Sequence, residues 1–370
     1  MKSPAELAQE ICDATRGVDW SGERAGIAVN SLLQYREASP SALAEALDVL
    51  IDRLESWQME DNDGVAHVAI TAGSLVERGG SPERLGDVLL TKLPGVLAGA
   101  RRCADRCFAG FPHFDTPDDE ADYLEPLWAD ALVQVDDRPI TEAMIRAALE
   151  HDRTGATALA YLQQWTLPTV AAISRSARLL ARVSEHHELL ALTAPLRHST
   201  AGWLYDLFRT ELDAEWLVLC PIEKRGFVLR VNGASSNFNL HEIVSDVLIR
   251  QGIQGRRNPP EFIAYLRGEF KEPPVASVVG SFNFYDYRAA SADLANANAV
   301  NTDYWVWNEG STSDIPTSQG RKVLLAGPPA YDRSWNPGRR FDALPISAKF
   351  DRELSCSEFR ATLKRLVDSK

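Results

Sequence analysis

The hydrophobic period of this chain changes near residue 214, and that change limits the folds open to it. Before that point, apolar residues recur at helical spacing. Leu43, Leu47, Leu50, Ile51 and Leu54 fall on one helix face, as do Leu85, Val88, Leu89 and Leu93. After it, short apolar runs with strand character take over. Trp216-Leu217-Val218-Leu219-Cys220 and Phe227-Val228-Leu229 are joined through residues 221–225, a length that suits a hairpin. A chain of 370 residues, at roughly 100–200 residues per domain, has room for about two domains. The expected architecture is α+β: an all-helical domain over 1–213 and a smaller α+β domain over 214–370.

Helix starts in the first part are well marked. Ser3-Pro4-Ala5-Glu6 places an N-cap Ser, a first-turn Pro and a capping-box Glu in register. Ser39-Pro40, Ser81-Pro82, Thr116-Pro117 and Thr141-Glu142 are further starts, and Gly79-Gly80 closes a helix. The Ser-Pro starts at 3, 39 and 81 lie 36 and 42 residues apart, near the roughly 40–47 residues of HEAT-type helical pairs. Stacked HEAT-like helices and an irregular helical bundle are therefore the two expectations.

Charge is divided unevenly. The net charge is −13; residues 1–210 hold 19 Lys and Arg against 32 Asp and Glu, and the rest is balanced. This excess of acid argues against nucleic acid, whose phosphates need clustered cations. From Cys107 to Asp137 there is no Lys or Arg, while Asp118, Asp119 and Asp122 lie among nine acids interleaved with Phe and Tyr. Acids at a helix start complement its dipole, which accounts for part of the run. The remainder is expected to be either a solvated loop or a surface for a basic protein partner. No apolar run of about 18 residues exists to span a membrane, and the N-terminus lacks a signal-peptide core. Five scattered cysteines fit free thiols in a reducing cytoplasm. Cys103 and Cys107 share a helix face without enough neighbouring ligands for a metal, and His186-His187 is expected to be a surface pair.

In the second part, strands are expected over 275–285, 304–307 and 322–326, with a closing helix capped by Ser355 and Glu358. The sheet should be mainly antiparallel or mixed. Gly226-Phe227-Val228-Leu229-Arg230-Val231-Asn232-Gly233, Asn237-Phe238-Asn239-Leu240-His241, Trp305-Val306-Trp307-Asn308-Glu309-Gly310, Asp314-Ile315-Pro316, Gly327-Pro328-Pro329 and Arg333-Ser334-Trp335 carry a similarity over residues 215–366. That stretch resembles a family of uncharacterised bacterial proteins. The resemblance implies a domain boundary near 214 and no particular activity.

Three polar groups in this part offer chemistry: Asn237 with His241 at a loop-to-helix junction; Asn308, Glu309 and Asp314 after the Trp-Val-Trp segment; and Arg333, Trp335, Arg339 and Arg340 in a Pro- and Gly-rich loop. Converging loops would give a base or acid in His241, Glu309 or Asp314 and an anion clamp in the arginines. The competing reading is structural: Asn and His bond backbone groups at helix starts, and loop arginines pair with loop acids. Phosphate-binding loops, a nucleophile elbow and metal spacings are missing, so no metal or cofactor is expected. The functional expectation is a non-enzymatic adaptor or scaffold with an acidic helical binding surface. An enzyme or small-ligand sensor, with its site in the second domain, is the alternative.

Overall fold

Helix caps set the first unit. Ser3 caps α1 (Pro4–Ala14) with a complete capping box to Glu6, and α2 (Gly22–Leu33) follows. Ser39 caps α3 (Pro40–Ser56) through the Ala42 N–H. Next comes α4 (Val65–Glu77), closed by a Schellman motif. Gly80 N–H donates to Leu75 O and Gly79 N–H to Val76 O, and Gly79 takes φ +105°. Ser81 does not cap the next helix as expected; α5 (Glu83–Ala109) starts after Pro82 with no side-chain cap.

These descriptions come from a computed structural model that describes residues 2–17, 22–35, 39–61, 64–183, 186–197, 199–290, 304–329 and 331–368. The chain divides into two compact units, Met1–Phe208 and Arg209–Lys370. The first unit continues with α6 (Pro117–Trp128), β1 (Ala131–Val135), β2 (Arg138–Thr141), α7 (Glu142–Ala148), α8 (Arg153–Ala160), α9 (Leu162–Ile173), α10 (Ala177–Val183), α11 (His187–Thr193) and α12 (Gly202–Phe208). Packing pairs α4 with α9, and α5 with both α8 and α9. A solenoid repeat touches only its neighbours in sequence, so this is an irregular bundle and not a HEAT-like stack. Glycines allow the close crossings. A Cβ on Gly73 of α4 would lie 2.6 Å from Pro168 of α9, and one on Gly155 of α8 would lie 2.8 Å from the Gly99 carbonyl oxygen of α5.

The β1–β2 hairpin departs from the all-helical expectation. Asp136 and Asp137 form its two-residue loop with φ +47° and +60°, the left-handed pair of a type I′ turn, which matches strand twist. Val135 and Ile140 are fully buried. Their burial, not local acidity, decides the conformation of this stretch.

The second unit comprises β3 (Ala214–Cys220), β4 (Arg225–Asn232), α13 (Asn237–Arg250), α14 (Pro260–Leu266), β5 (Val278–Val279), β6 (Asn283–Asp286), β7 (Thr317–Ser318), β8 (Arg321–Gly327), β9 (Ser334–Trp335), β10 (Ser347–Glu353) and α15 (Cys356–Asp368). It begins five residues earlier than the change of period. Arg209 pairs with Asp314 at 2.8 Å and Glu211 with Lys322 at 2.6 Å, which ties residues 209–213 to it.

Its main sheet runs β10-β4-β3-β8-β6, with β7 also on β8. β3 and β8 are parallel and the other pairs antiparallel, so the sheet is mixed. The unbroken apolar run of β3 is explained by burial on both faces. Trp216, Val218 and Cys220 meet Leu240, Val244 and Leu248 of α13, while Leu217 and Leu219 share the opposite core with Phe359 and Leu366 of α15.

Two strand expectations need correction, and one strand was not expected. Residues 275–285 give only the short β5 and β6, because the segment is shared between two sheets: β5 pairs with β9, where Gly280 N–H also donates to Arg333 O at 3.0 Å, and β6 pairs with β8. Residues 304–307 make one bridge, Tyr285 to Trp305; Val306 enters one core, Trp305 packs against the other, and Trp307 faces outward. β10 was not anticipated at all. It is an edge strand, mostly exposed and charged, held through its register with β4.

Candidate functional site

The start of α13 organises the polar residues of the second unit. Ser236 caps the helix by accepting the Asn239 N–H. That fixes Asn237 and His241 one turn apart on the same face. Both reach the segment after Tyr304. Asn237 Nδ2 donates to the Trp307 carbonyl at 2.8 Å, and His241 Nε2 donates to the Val306 carbonyl at 2.8 Å. The Asn237 N–H also donates to Gly310 O at 3.0 Å. A Cβ at Gly310 would sit 2.7 Å from Asn237 Nδ2, so the loop approaches the helix too closely for a side chain there.

Arg333 closes the cluster. Its Nη1 donates to Asn308 Oδ1 at 3.0 Å, and its Nη2 donates to Phe282 O at 2.6 Å and faces His241 Nδ1 at 3.4 Å. Aromatic rings surround the imidazole. Phe284 lies edge-on at 4.8 Å and Trp335 at 6.3 Å between centroids. His241 is 1% exposed. Burial, with the Arg333 cation beside it, pushes its pKa down to about 3. Burial also lowers Arg333 below the usual guanidinium range. The imidazole is therefore neutral, with Nε2 protonated and bonded to a carbonyl and Nδ1 turned to a guanidinium. Neither nitrogen is free to take a proton from a substrate.

The expected convergence is therefore partial. Asn237, His241, Asn308, Arg333 and Trp335 meet. Asp314 instead pairs with Arg209 at 2.8 Å. Arg339 stacks over Tyr265 at 4.8 Å and donates to Phe270 O at 3.4 Å. Glu309 and Arg340 are exposed. Cys220 is buried and its thiol is pushed up to about 12 by that burial, which leaves no thiolate to act as a nucleophile.

Glu242, next to His241, carried no role in the sequence expectations. It is 3% exposed, and neither carboxylate oxygen has a hydrogen-bond partner. Burial and, to a lesser extent, Asp246 push its pKa up to about 8. The acid is thus held largely protonated at neutral pH.

The acidic stretch of the first unit forms the end of α5, α6 and the β1–β2 hairpin. The end of α5 carries Phe108, and Phe111, Phe114 and Tyr123 follow it in a chain of ring contacts of 5.3–5.5 Å. Thr116 caps α6 and Asp119 completes the capping box, accepting from Thr116 N–H at 3.1 Å and Oγ1 at 2.7 Å. Asp119 is therefore a cap more than a free charge. Glu120 pairs with Arg138 at 2.6 Å, Asp137 with Arg197 at 3.2 Å, and Asp136 with Arg101. Asp115, Asp118, Asp122, Glu125 and Asp130 are exposed, and among the described residues they form no ion pair. Tyr123, Trp128 and Leu132 are exposed beside them; Trp128 is 42% and Leu132 57% exposed. A cleft of about 510 Å³ runs along β1, lined by Trp128, Leu132, Gln134, Leu159 and Leu162 among others.

Among the described residues, no three His, Cys, Asp or Glu side chains converge as a metal site would. Cys103 is buried and Cys107 half-buried; a hydrogen bond between the two thiols raises the first and lowers the second. His186 Nδ1 lies 3.2 Å from Glu188, whereas Glu185 and the His187 side chain lie outside the described residues. No helix among the described residues is long and apolar enough to cross a membrane.

Fold and site together define a two-unit α+β protein with a buried histidine–arginine clasp in one unit and an acidic, aromatic face on the other. No family model, curated protein or solved structure matches the chain.

Proposed function

We propose that this chain is a non-enzymatic interaction protein whose first unit binds a basic segment of a protein partner through α6 and the adjoining hairpin. One observation carries the reading: five exposed acids that form no ion pair among the described residues stand beside exposed Tyr123, Trp128 and Leu132. Aromatic residues are enriched at the energetic centres of interfaces. Uncompensated charge of one sign steers an oppositely charged partner and fixes its orientation. The buried, neutral His241, whose Nε2 serves the Val306 carbonyl, supports the same conclusion because it offers no base to a substrate.

Affinity capture with the whole chain as bait tests this. Asp118→Lys, Asp122→Lys and Glu125→Lys together leave the Asp119 cap intact. They should reduce capture of basic proteins about tenfold or more, as loss of several charge contacts implies. Capture unchanged by the triple variant at both low and high salt would remove this surface from the function.

A further inference from the structure

We propose, resting on the interaction reading above, that the partner's bound segment is an extended peptide that pairs with the outer edge of β1 as a third strand. Its apolar side chains would enter the cleft beside β1, and its Lys or Arg side chains would lie near Glu125 and Asp130, which flank Trp128 in the cleft wall.

Register defines which edge is open. The type I′ loop at Asp136-Asp137 makes Val135 and Arg138 the closing hydrogen-bonded pair, so the next pair, Gln134 and Pro139, is a non-hydrogen-bonded one. The backbone N–H and C=O of Gln134 therefore point away from β2. Pro139, on the other strand, has no N–H to offer at its outer side, and α6 packs against β2. Among the described residues no third strand pairs with β1, which leaves its Gln134 position open. Asp136, two residues on and facing the same way, already donates its N–H to Pro195 O at 2.8 Å. A neighbouring backbone thus takes the last position of this edge, and Gln134 is the next.

The cleft fits such a segment. Leu132 and Trp128 form one wall, and Leu159 and Leu162 belong to the helical side. Gln134, Gln163 and Gln164 supply uncharged polar groups to the cleft lining. No charged side chain lines the cleft, while Glu125 and Asp130 flank Trp128 in sequence and are exposed. An open backbone edge selects an extended ligand over a helical one, because a helix satisfies its backbone groups internally. The acidic flank selects basic residues over acidic ones.

The test is selection of a phage-displayed library of random twelve-residue peptides on the immobilised full chain. Enriched sequences should alternate apolar and basic residues and lack Pro. A synthetic copy of the best sequence is then measured by fluorescence anisotropy. N-methylation at alternate residues, in the register that pairs with β1, should weaken binding about tenfold, as loss of buried backbone hydrogen bonds implies. Gln134→Pro should do the same, because it deletes the outward N–H without breaking a β1–β2 bond. Leu132→Lys, at an exposed position with little folding risk, should also weaken it. Binding that survives all three changes but is lost with Asp122→Lys and Glu125→Lys overturns strand pairing and leaves the acidic surface standing. Binding indifferent to every change overturns both. A library that yields no enriched sequence overturns strand pairing, with the capture experiment still deciding the broader function.

Discussion

Arg333 Nη2 lies 3.4 Å from His241 Nδ1 and 2.6 Å from the carbonyl oxygen of Phe282. One guanidinium thus joins α13, the segment before β6 and, through Asn308, the loop after Trp307. Arg333→Met keeps the stem and removes these donors. It should cost about 1–3 kcal/mol, the range for leaving buried acceptors unpaired, and lower the melting temperature of the full chain by several degrees. A melting temperature equal to wild type would show that the clasp contributes no stability.

His241 should remain neutral to unusually low pH. Its folded pKa is lowered from 6.5 to about 3, so the fold favours the neutral ring. The stability it contributes is complete above pH 6.5 and is lost as pH falls toward 3. The imidazole carbon resonances of His241 should show no titration between pH 8 and 5. A midpoint near 6.5 would contradict the burial described here.

Glu242 produces the opposite slope. Its folded pKa is raised from 4.5 to about 8, so the folded state holds a proton that the unfolded chain releases. That contribution is complete below pH 4.5 and is lost as pH rises through 8. Glu242→Gln keeps the shape and cannot ionise. The variant should gain stability over wild type by an order of a few kcal/mol at pH 8.5 and little at pH 4.5. Chemical denaturation at the two pH values measures the difference; equal offsets at both would rule out a buried acid.

Two glycines in helices should respond in opposite directions to Ala. A Cβ at Gly26 meets nothing within 4 Å, whereas one at Gly73 would lie 2.6 Å from Pro168. Gly26→Ala should stabilise by roughly 0.5–1 kcal/mol through helix propensity. Gly73→Ala should destabilise by about 1–3 kcal/mol through overpacking of α4 on α9. Thermal melts of both variants beside wild type give the signs directly.

Partner capture by the acidic face should weaken as salt rises. Exposed charges are screened over a Debye length of about 10 Å at 0.1 M and about 3 Å at 1 M. Capture at 1 M salt as strong as at 0.1 M would place the affinity elsewhere than in Asp118, Asp122 and Glu125.

Local signals in the chain determine the structure where they act within one turn or one hairpin. Ser3, Ser39, Thr116, Thr141 and Ser355 all cap helices, because a cap depends on residues within one turn of itself. The unbroken apolar run of β3 and the hairpin to β4 were legible for the same reason. Ser81 failed because the chain turns into α5 one residue later, after Pro82. The hairpin at 131–141 was hidden by its acids, although Val133 and Val135 alternate with polar Gln134. β10 was hidden by Lys349, Asp351 and Arg352, since an edge strand facing solvent needs no apolar pattern of its own.

The candidate site shows the same division. Sequence alone placed Asn237 and His241 together at a helix start and set Asn308 and Arg333 in loops near strand ends. Tertiary structure decided that the four meet, that Asp314 and Arg339 are engaged elsewhere, and that the histidine is neutral. It also decided that Glu242 is buried and Asp118 is not. Caps, turns and hydrophobic period depend on neighbours a few residues away and are written into the chain. Desolvation and strand pairing depend on segments some hundred residues distant, such as residues 241 and 333, which only the folded chain brings into contact.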